Sequence, residues 1–260
     1  MNHIHPLLPN WGIKPILFHI GAVPVSSYSF FVALGILAGA LVYYWEARKL
    51  GQNNEKTYLI AVGALTGAAI GAKLLELLIN IDHIESVNTF IGFLFSGRTI
   101  VGGLIGGTLG SMITKRLLGI RVKRGNLFAP AIAIGVSVGR IGCFLNGCCY
   151  GKPSHLPWAV NFGDGTMRHP TQLYESIFML GMFIFLKTYY KNKEVRPGYL
   201  FKVLMVAYFV FRFLTEYIRV ERVAFWGLTY FQIITVFVLF YLFLDDIKSN
   251  INKLIAYGRK

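Results

Sequence analysis

Seven stretches of this chain, roughly residues 27–45, 57–80, 99–114, 126–145, 172–190, 198–218 and 228–244, are apolar or small over nearly their whole length. Each approaches the ~20 residues that an α-helix needs to cross the hydrocarbon core of a bilayer. A chain built this way is expected to be all-α and polytopic, with about seven transmembrane helices in one domain over residues 1–260. Composition agrees: 55% hydrophobic residues, 15% charged residues and a mean hydropathy of +0.54 are too apolar for an ordinary soluble domain. The third run is short and glycine-rich, which leaves its ends loosely defined. Residues 13–25 form a shorter apolar stretch containing Pro15 and Pro24, below spanning length, and 12–26 is expected to lie at the membrane interface. No Lys or Arg precedes Lys14, so the basic region of a cleavable signal peptide is not expected.

Charge sets partners and orientation. The formal net charge is +14, but the Lys and Arg residues punctuate hydrophobic runs instead of gathering on one face. Anionic lipid headgroups are therefore the expected counter-charge, and nucleic acid is not an expected partner. Sixteen Lys and Arg fall in the segments on one side of the seven runs and six on the other. Basic loops favour the cytoplasm, which predicts the N-terminus outside, the C-terminus inside and an extracytoplasmic loop over 148–171.

Several groups inside the apolar runs invite a functional reading. Tyr208, Arg212, Glu216 and Arg219 recur at i, i+4, i+8 and i+11 of one run, a single polar stripe that must face protein or a wet cavity. Either Arg212 and Glu216 form an ion pair that fixes packing, or the stripe lines a site. Arg140, read as a second and unpaired arginine, ends another run at the same membrane half, which favours the site. Lys73 and Glu76 are expected to neutralise each other. Gln172, Tyr174 and Glu175 follow Arg168-His169-Pro170-Thr171; capping and loop anchoring account for Thr171 and Glu175, while His169 is either a base or a loop hydrogen-bonding group. Glycines four apart, at Gly63, Gly67 and Gly71, Gly102, Gly106 and Gly110, and Gly135 and Gly139, predict close helix packing. The doublet Gly102-Gly103 could also admit a ligand to bare backbone. Three cysteines, two of them the adjacent Cys148 and Cys149, imply no disulfide framework. They lack the usual spacing of zinc ligands, so no metal is expected.

Taken together, these motifs resemble the prolipoprotein diacylglyceryl transferase family of bacterial inner-membrane enzymes. The resemblance covers most of the chain: Tyr28 to Gly39, Gly102-Gly103-Leu104-Ile105-Gly106-Gly107, Gly139-Arg140-Ile141-Gly142 continuing through Asn146 and Gly151, His169-Pro170-Thr171-Gln172-Leu173-Tyr174-Glu175, and Arg212-Phe213 followed by Glu216 and Arg219. It implies seven spans with the N-terminus out, no cofactor, phosphatidylglycerol as donor and the lipobox cysteine of a preprolipoprotein as acceptor. Two departures stand out. Val101 occupies a position where the family commonly has His or Tyr, and Cys143 and Cys148 stand where it often has Asn and Glu.

The reaction so implied is S-alkylation, in which a peptide thiolate attacks the glyceryl carbon and glycerol 1-phosphate leaves. Arg140 and Arg212 suit an anion clamp, because guanidinium stays charged in a poor dielectric and binds phosphate with parallel hydrogen bonds. Glu216 would hold Arg212. Tyr28 and Asn146 would hydrogen-bond the headgroup, Gly102-Gly103 would leave it room, and Gly151 and Arg219 complete the binding set. With Val101 inert, deprotonation falls to His169, Tyr150 or the substrate itself. Competing readings are a transferase with another donor or acceptor, a non-catalytic lipid binder, and a small-solute transporter lined by Lys73, Glu76, Arg140, Arg212 and Glu216. The last lacks a recognisable internal repeat.

Overall fold

A computed structural model describes residues 12–84, 86, 99–121, 124–189 and 195–257. The chain enters through an antiparallel hairpin, β1 (Ile16–Ile20) and β2 (Val23–Ser26), in which Ile16 pairs with Ser26 and Ile20 with Val23. Helices α1 (Ser27–Lys49), α2 (Glu55–Ile79), α3 (Ile100–Leu117) and α4 (Gly125–Leu145) follow. A two-residue hairpin, β3 (Val160–Asn161) with β4 (Met167–Arg168), leads to α5 (Thr171–Tyr189) and α6 (Tyr199–Thr215). A 3-10 turn at Glu216–Ile218 and a third hairpin, β5 (Val223–Phe225) with β6 (Leu228–Thr229), deliver α7 (Tyr230–Tyr257).

Seven α-helices among the described residues coincide with the seven apolar runs. Three of them, α1, α2 and α4, are long and apolar enough to cross a membrane. The burial pattern is that of a protein in lipid. Ile70, Ile177 and Phe237 are 60–69% exposed, whereas Arg140, Gln172, Glu175, Arg212, Glu216 and Gln232 are buried. The protein is a polytopic all-α membrane protein. The 12–26 stretch is a hairpin with exposed apolar residues, among them Ile20 and Val23. Its entry is tied to α4, where Lys14 N donates to Leu145 O at 2.7 Å, and its two ends are tied to each other, where Ser27 N donates to Pro15 O at 2.8 Å. Met1–Trp11, Arg98, Lys123, Lys191, Lys193, Arg259 and Lys260, all used in the charge reading, lie outside the described residues.

The chain divides into two units, Glu46–Lys123 and the remainder. In the first, α2 and α3 pack antiparallel along the glycine rows. A Cβ on Gly71 would come 2.7 Å from Gly106 Cα, and one on Gly67 2.9 Å from Gly110 Cα, so only hydrogen permits this approach. Thr99 caps α3 by accepting from Gly102 N at 3.2 Å.

In the second unit, α1 crosses α4 at small residues. A Cβ on Gly35 would meet Gly135 O at 2.5 Å, and one on Gly142 would meet Phe31 Cβ at 2.7 Å. Helices α4 and α5 exchange hydrogen bonds, Ser137 Oγ to Ser176 O at 2.9 Å and Ser176 Oγ to Ser137 O at 2.8 Å. Phe178 stacks on Phe211 between α5 and α6 with centroids 4.2 Å apart. At the head of α7, Gln232 N donates to Thr229 Oγ1 at 3.2 Å and Thr229 N to Gln232 Oε1 at 3.0 Å, the reciprocal capping that a Thr-x-x-Gln sequence encodes.

Candidate active site

Where α4 ends, α5 begins and α6 passes into its 3-10 turn, three arginines meet three carboxylates. The polar stripe of α6 turns inward as its spacing requires: Arg212 Nη2 is 3.1 Å from Glu216 Oε2, and Arg212 Cζ stands 4.7 Å over the Phe231 ring. Arg140 is not unpaired. Its Nη2 lies 2.7 Å from Glu175 Oε2, with both side chains buried. Glu175 is thus no capping residue; its other oxygen accepts from the fully buried Tyr208 hydroxyl at 3.0 Å. A carboxylate one turn into α5 is brought to Arg140 by the close α4–α5 contact at the two serines, a proximity that sequence spacing alone does not reveal.

Glu221 is the residue that sequence reasoning missed. It lies beyond the helix, where helical periodicity has no meaning, yet its Oε1 receives Arg219 Nη2 at 2.9 Å, Arg219 Nε at 3.2 Å and Arg212 Nη2 at 3.5 Å. Arg219 also reaches Thr171 Oγ1 at 3.3 Å and the Cys149 carbonyl at 3.4 Å. Its donors therefore bind the 148–171 loop to the end of α6. Glu216 is further held by Thr229 Oγ1, which donates to its Oε1 at 3.0 Å.

The three arginines differ in one respect. Arg219 Nε is hydrogen-bonded to Glu221, whereas Arg140 Nε and Arg212 Nε are buried with no hydrogen-bond partner among the described residues. Such donors are costly unless something accepts from them. Glu175 anchors Arg140, and Glu216 and Glu221 anchor Arg212, so each guanidinium is fixed while its Nε–H stays without a partner among the described residues.

The remaining sequence-predicted residues distribute around this cluster or away from it. Tyr28 lies in the first turn of α1, where its carbonyl would be 3.3 Å from a Cβ on Gly142, next to the Arg140 helix. Asn146 ends α4, its backbone N donating to Gly142 O at 2.9 Å. Gly139 faces open space, with nothing within 4 Å of a Cβ there. Gly151 is buried, and a Cβ on it would meet Ile218 O at 2.5 Å and His169 Cβ at 2.8 Å. Its bare backbone is thus used to pass the loop through protein. In the other unit, Val101 is buried and Gly102 is packed on α2, where a Cβ would come 2.8 Å from Leu75 Cβ; at Gly103 the nearest atom is 3.7 Å away.

His169 is half-buried in the loop. Burial holds its imidazole below the ordinary value, because desolvation disfavours the charged form. Its Nδ1 is 3.3 Å from the Tyr174 hydroxyl, which accepts from Trp158 Nε1 at 2.7 Å. Tyr150 stacks on Phe162 at 5.0 Å, with Arg168 Cζ 5.0 Å over its ring. The loop is closed at its tip by the Asp164–Arg168 ion pair at 2.7 Å.

The cysteines converge. The sulfurs of Cys143, Cys148 and Cys149 all lie within 4.8 Å of one another, although their spacing along the chain does not suggest a site. Cys149 adopts φ 63° after Gly147 at φ 74°, a left-handed conformation that ordinary residues avoid.

Helices with exposed apolar faces around a buried cluster of arginines and carboxylates define a membrane-embedded protein. The family model described as prolipoprotein diacylglyceryl transferase matches residues 15–244, and the chain belongs to that family. It is 33% identical over 214 residues to the phosphatidylglycerol–prolipoprotein diacylglyceryl transferase of Clostridium tetani, covering 80% of this chain and 86% of the relative. The enzyme of the same name from Finegoldia magna is 30% identical, with 85% and 90% coverage. The second such transferase of Clostridium perfringens is 29% identical, with 95% and 98% coverage.

Proposed function

We propose that this protein transfers the diacylglyceryl group of phosphatidylglycerol to the lipobox cysteine thiol of preprolipoproteins, in the bacterial inner membrane with its N-terminus out and C-terminus in. The observation that carries the reading is the pair of buried Nε–H groups on Arg140 and Arg212 that have no partner among the described residues, within a family whose named members act on this donor and acceptor. The donor phosphate diester is a monoanion that accepts from both guanidiniums. The acceptor sulfur, as thiolate, attacks the glyceryl carbon; the carbon–oxygen bond to phosphate breaks, and its electron pair leaves with glycerol 1-phosphate. Negative charge grows on that phosphate, so cations fixed beforehand favour the transition state over the ground state. Glu175 anchors Arg140, Glu216 and Glu221 anchor Arg212, and Arg219 holds the loop against them. The thiol proton goes to solvent, to the departing phosphate or to His169, whose Nδ1 is 3.3 Å from the Tyr174 hydroxyl. His169 positions the loop that Gly151 threads. Tyr28, Asn146 and Gly139 line the approach to Arg140, and Gly103 keeps open backbone in α3.

Purified protein incubated with phosphatidylglycerol and a lipobox peptide should yield a thioether-linked diacylglyceryl peptide and glycerol 1-phosphate, read by mass spectrometry. Absence of both products with active relatives run in parallel would overturn the proposal. A reporter fused after Lys260 should score cytoplasmic and a tag within 155–164 should be labelled from outside; the reverse would overturn the orientation.

A further inference from the structure

We propose that Cys143, Cys148 and Cys149 form a three-thiolate site for a thiophilic d10 cation, zinc(II) or copper(I). The geometry carries this. A metal with bonds of ~2.3 Å to sulfur holds thiolates about 3.8 Å apart when tetrahedral and about 4.0 Å apart when trigonal. The Cys148 and Cys149 sulfurs are 3.8 Å apart, and all three sulfurs are within 4.8 Å of each other. Closing the cluster on an ion requires movements of less than about 1 Å, within reach of side-chain torsions.

Each ligand is set by backbone rather than by chance contact. Cys143 lies in the last turn of α4. Cys148 N donates to the Cys143 carbonyl at 3.1 Å, which folds the chain back over the helix end. The left-handed residues Gly147 and Cys149 complete the turn. The turn is pinned from α5, where Gln172 Nε2 donates to the Cys148 carbonyl and Thr171 Oγ1 donates to the Cys149 carbonyl at 2.9 Å. A non-glycine residue in the left-handed region is strained and persists only where surrounding structure enforces it.

Two guanidiniums stand beside the cluster. Arg140 Nη1 is 3.9 Å from Cys143 Sγ, and Arg219 reaches the Cys149 carbonyl. Nearby guanidiniums stabilise the deprotonated sulfur that a metal needs. Binding is written as three thiols and one cation giving the tris-thiolate complex and three protons. With zinc(II) the complex carries one net negative charge, which these arginines offset. Cys143 is buried, Cys148 half-buried and Cys149 exposed, so the ion enters from the Cys149 side and water takes a fourth position. Sulfur-only ligation selects zinc(II) or copper(I) over magnesium or calcium, which require oxygen.

The test uses full-length protein purified in detergent under reducing conditions, loaded separately with zinc(II) and copper(I), with magnesium as control. Metal content after desalting should be about one zinc or copper per chain, retained against a weak chromophoric chelator, and absent for magnesium. Cys143→Ser, Cys148→Ser and Cys149→Ser should each lose that retention. Binding should also protect the thiols of the unmutated protein from maleimide, a readout that needs no variant to fold. X-ray absorption should show three sulfur neighbours. Unretained metal with unprotected thiols, or a first shell of nitrogen and oxygen, would overturn the proposal. Neither result depends on the transfer reaction, whose assay is separate.

Discussion

Replacing Glu175 with Gln keeps the side-chain volume and removes one charge from the centre of the site. Glu175 is 2% exposed, 2.7 Å from Arg140 and hydrogen-bonded by Tyr208. At an effective dielectric of ~20, two charges at that distance attract by about 6 kcal/mol. Desolvation of the two ions consumes most of this, so the net worth of the pair against apolar residues is small. One-sided removal is different: it leaves the Arg140 guanidinium buried without its counter-charge and turns an amide N–H toward Nη2. The expected loss is ~3–5 kcal/mol of folding free energy. Arg140→Met should cost less, because Glu175 keeps Tyr208 and lies in the field of Arg212 and Arg219. The double variant should be at least ~2 kcal/mol more stable than the sum of the singles, since neither charge is then stranded. Denaturant unfolding in mixed micelles measures all four proteins. Additivity within ~0.5 kcal/mol would refute the pairing, and with it the claim that Glu175 holds Arg140 for an anion.

Other outcomes follow from the same geometry. Arg212→Lys should reduce transfer about 100-fold or more, because an ammonium cannot span Glu216, Glu221 and the Phe231 face while donating to phosphate; initial rates with the lipobox peptide check this. Gly71→Val should break the α2–α3 contact, where even a Cβ would be 2.7 Å from Gly106 Cα; accelerated proteolysis within residues 46–123 reports it, and a wild-type pattern would count against the packing. His169 has its pKa lowered by burial, so between the folded and unfolded values the unfolded chain binds more protons. Its contribution to stability is present above the unfolded value of ~6.5 and is lost as pH falls toward the folded value. His169→Gln should flatten thermal stability over that window, measured by melting at stepped pH.

How far the site can be read from the chain depends on the distance over which each interaction acts. Hydrophobic length places six of the seven helices within a few residues at both ends and the start of α7, which runs on to Tyr257 beyond its apolar run, since crossing a membrane demands about 20 apolar residues in one run. Helical periodicity pairs Arg212 with Glu216, four residues apart on one face. The family motifs select Arg140 and the glycine rows, and those rows do pack α2 on α3. Each of these is local, or recurs with a fixed period.

Tertiary structure alone decides the rest. Arg140 is read as unpaired because its carboxylate lies 35 residues away, on a helix whose rotation is set by Ser137 and Ser176. Glu221 joins Arg219 and Arg212 only because the chain leaves the helix after Ile218 and turns back. The three sulfurs converge because one cysteine takes a left-handed backbone that no spacing rule anticipates. A sequence pattern reports which face of an element a residue occupies. Which faces then meet is settled by packing between elements far apart in the chain, and it is there that buried charges find the partners that make their burial tolerable.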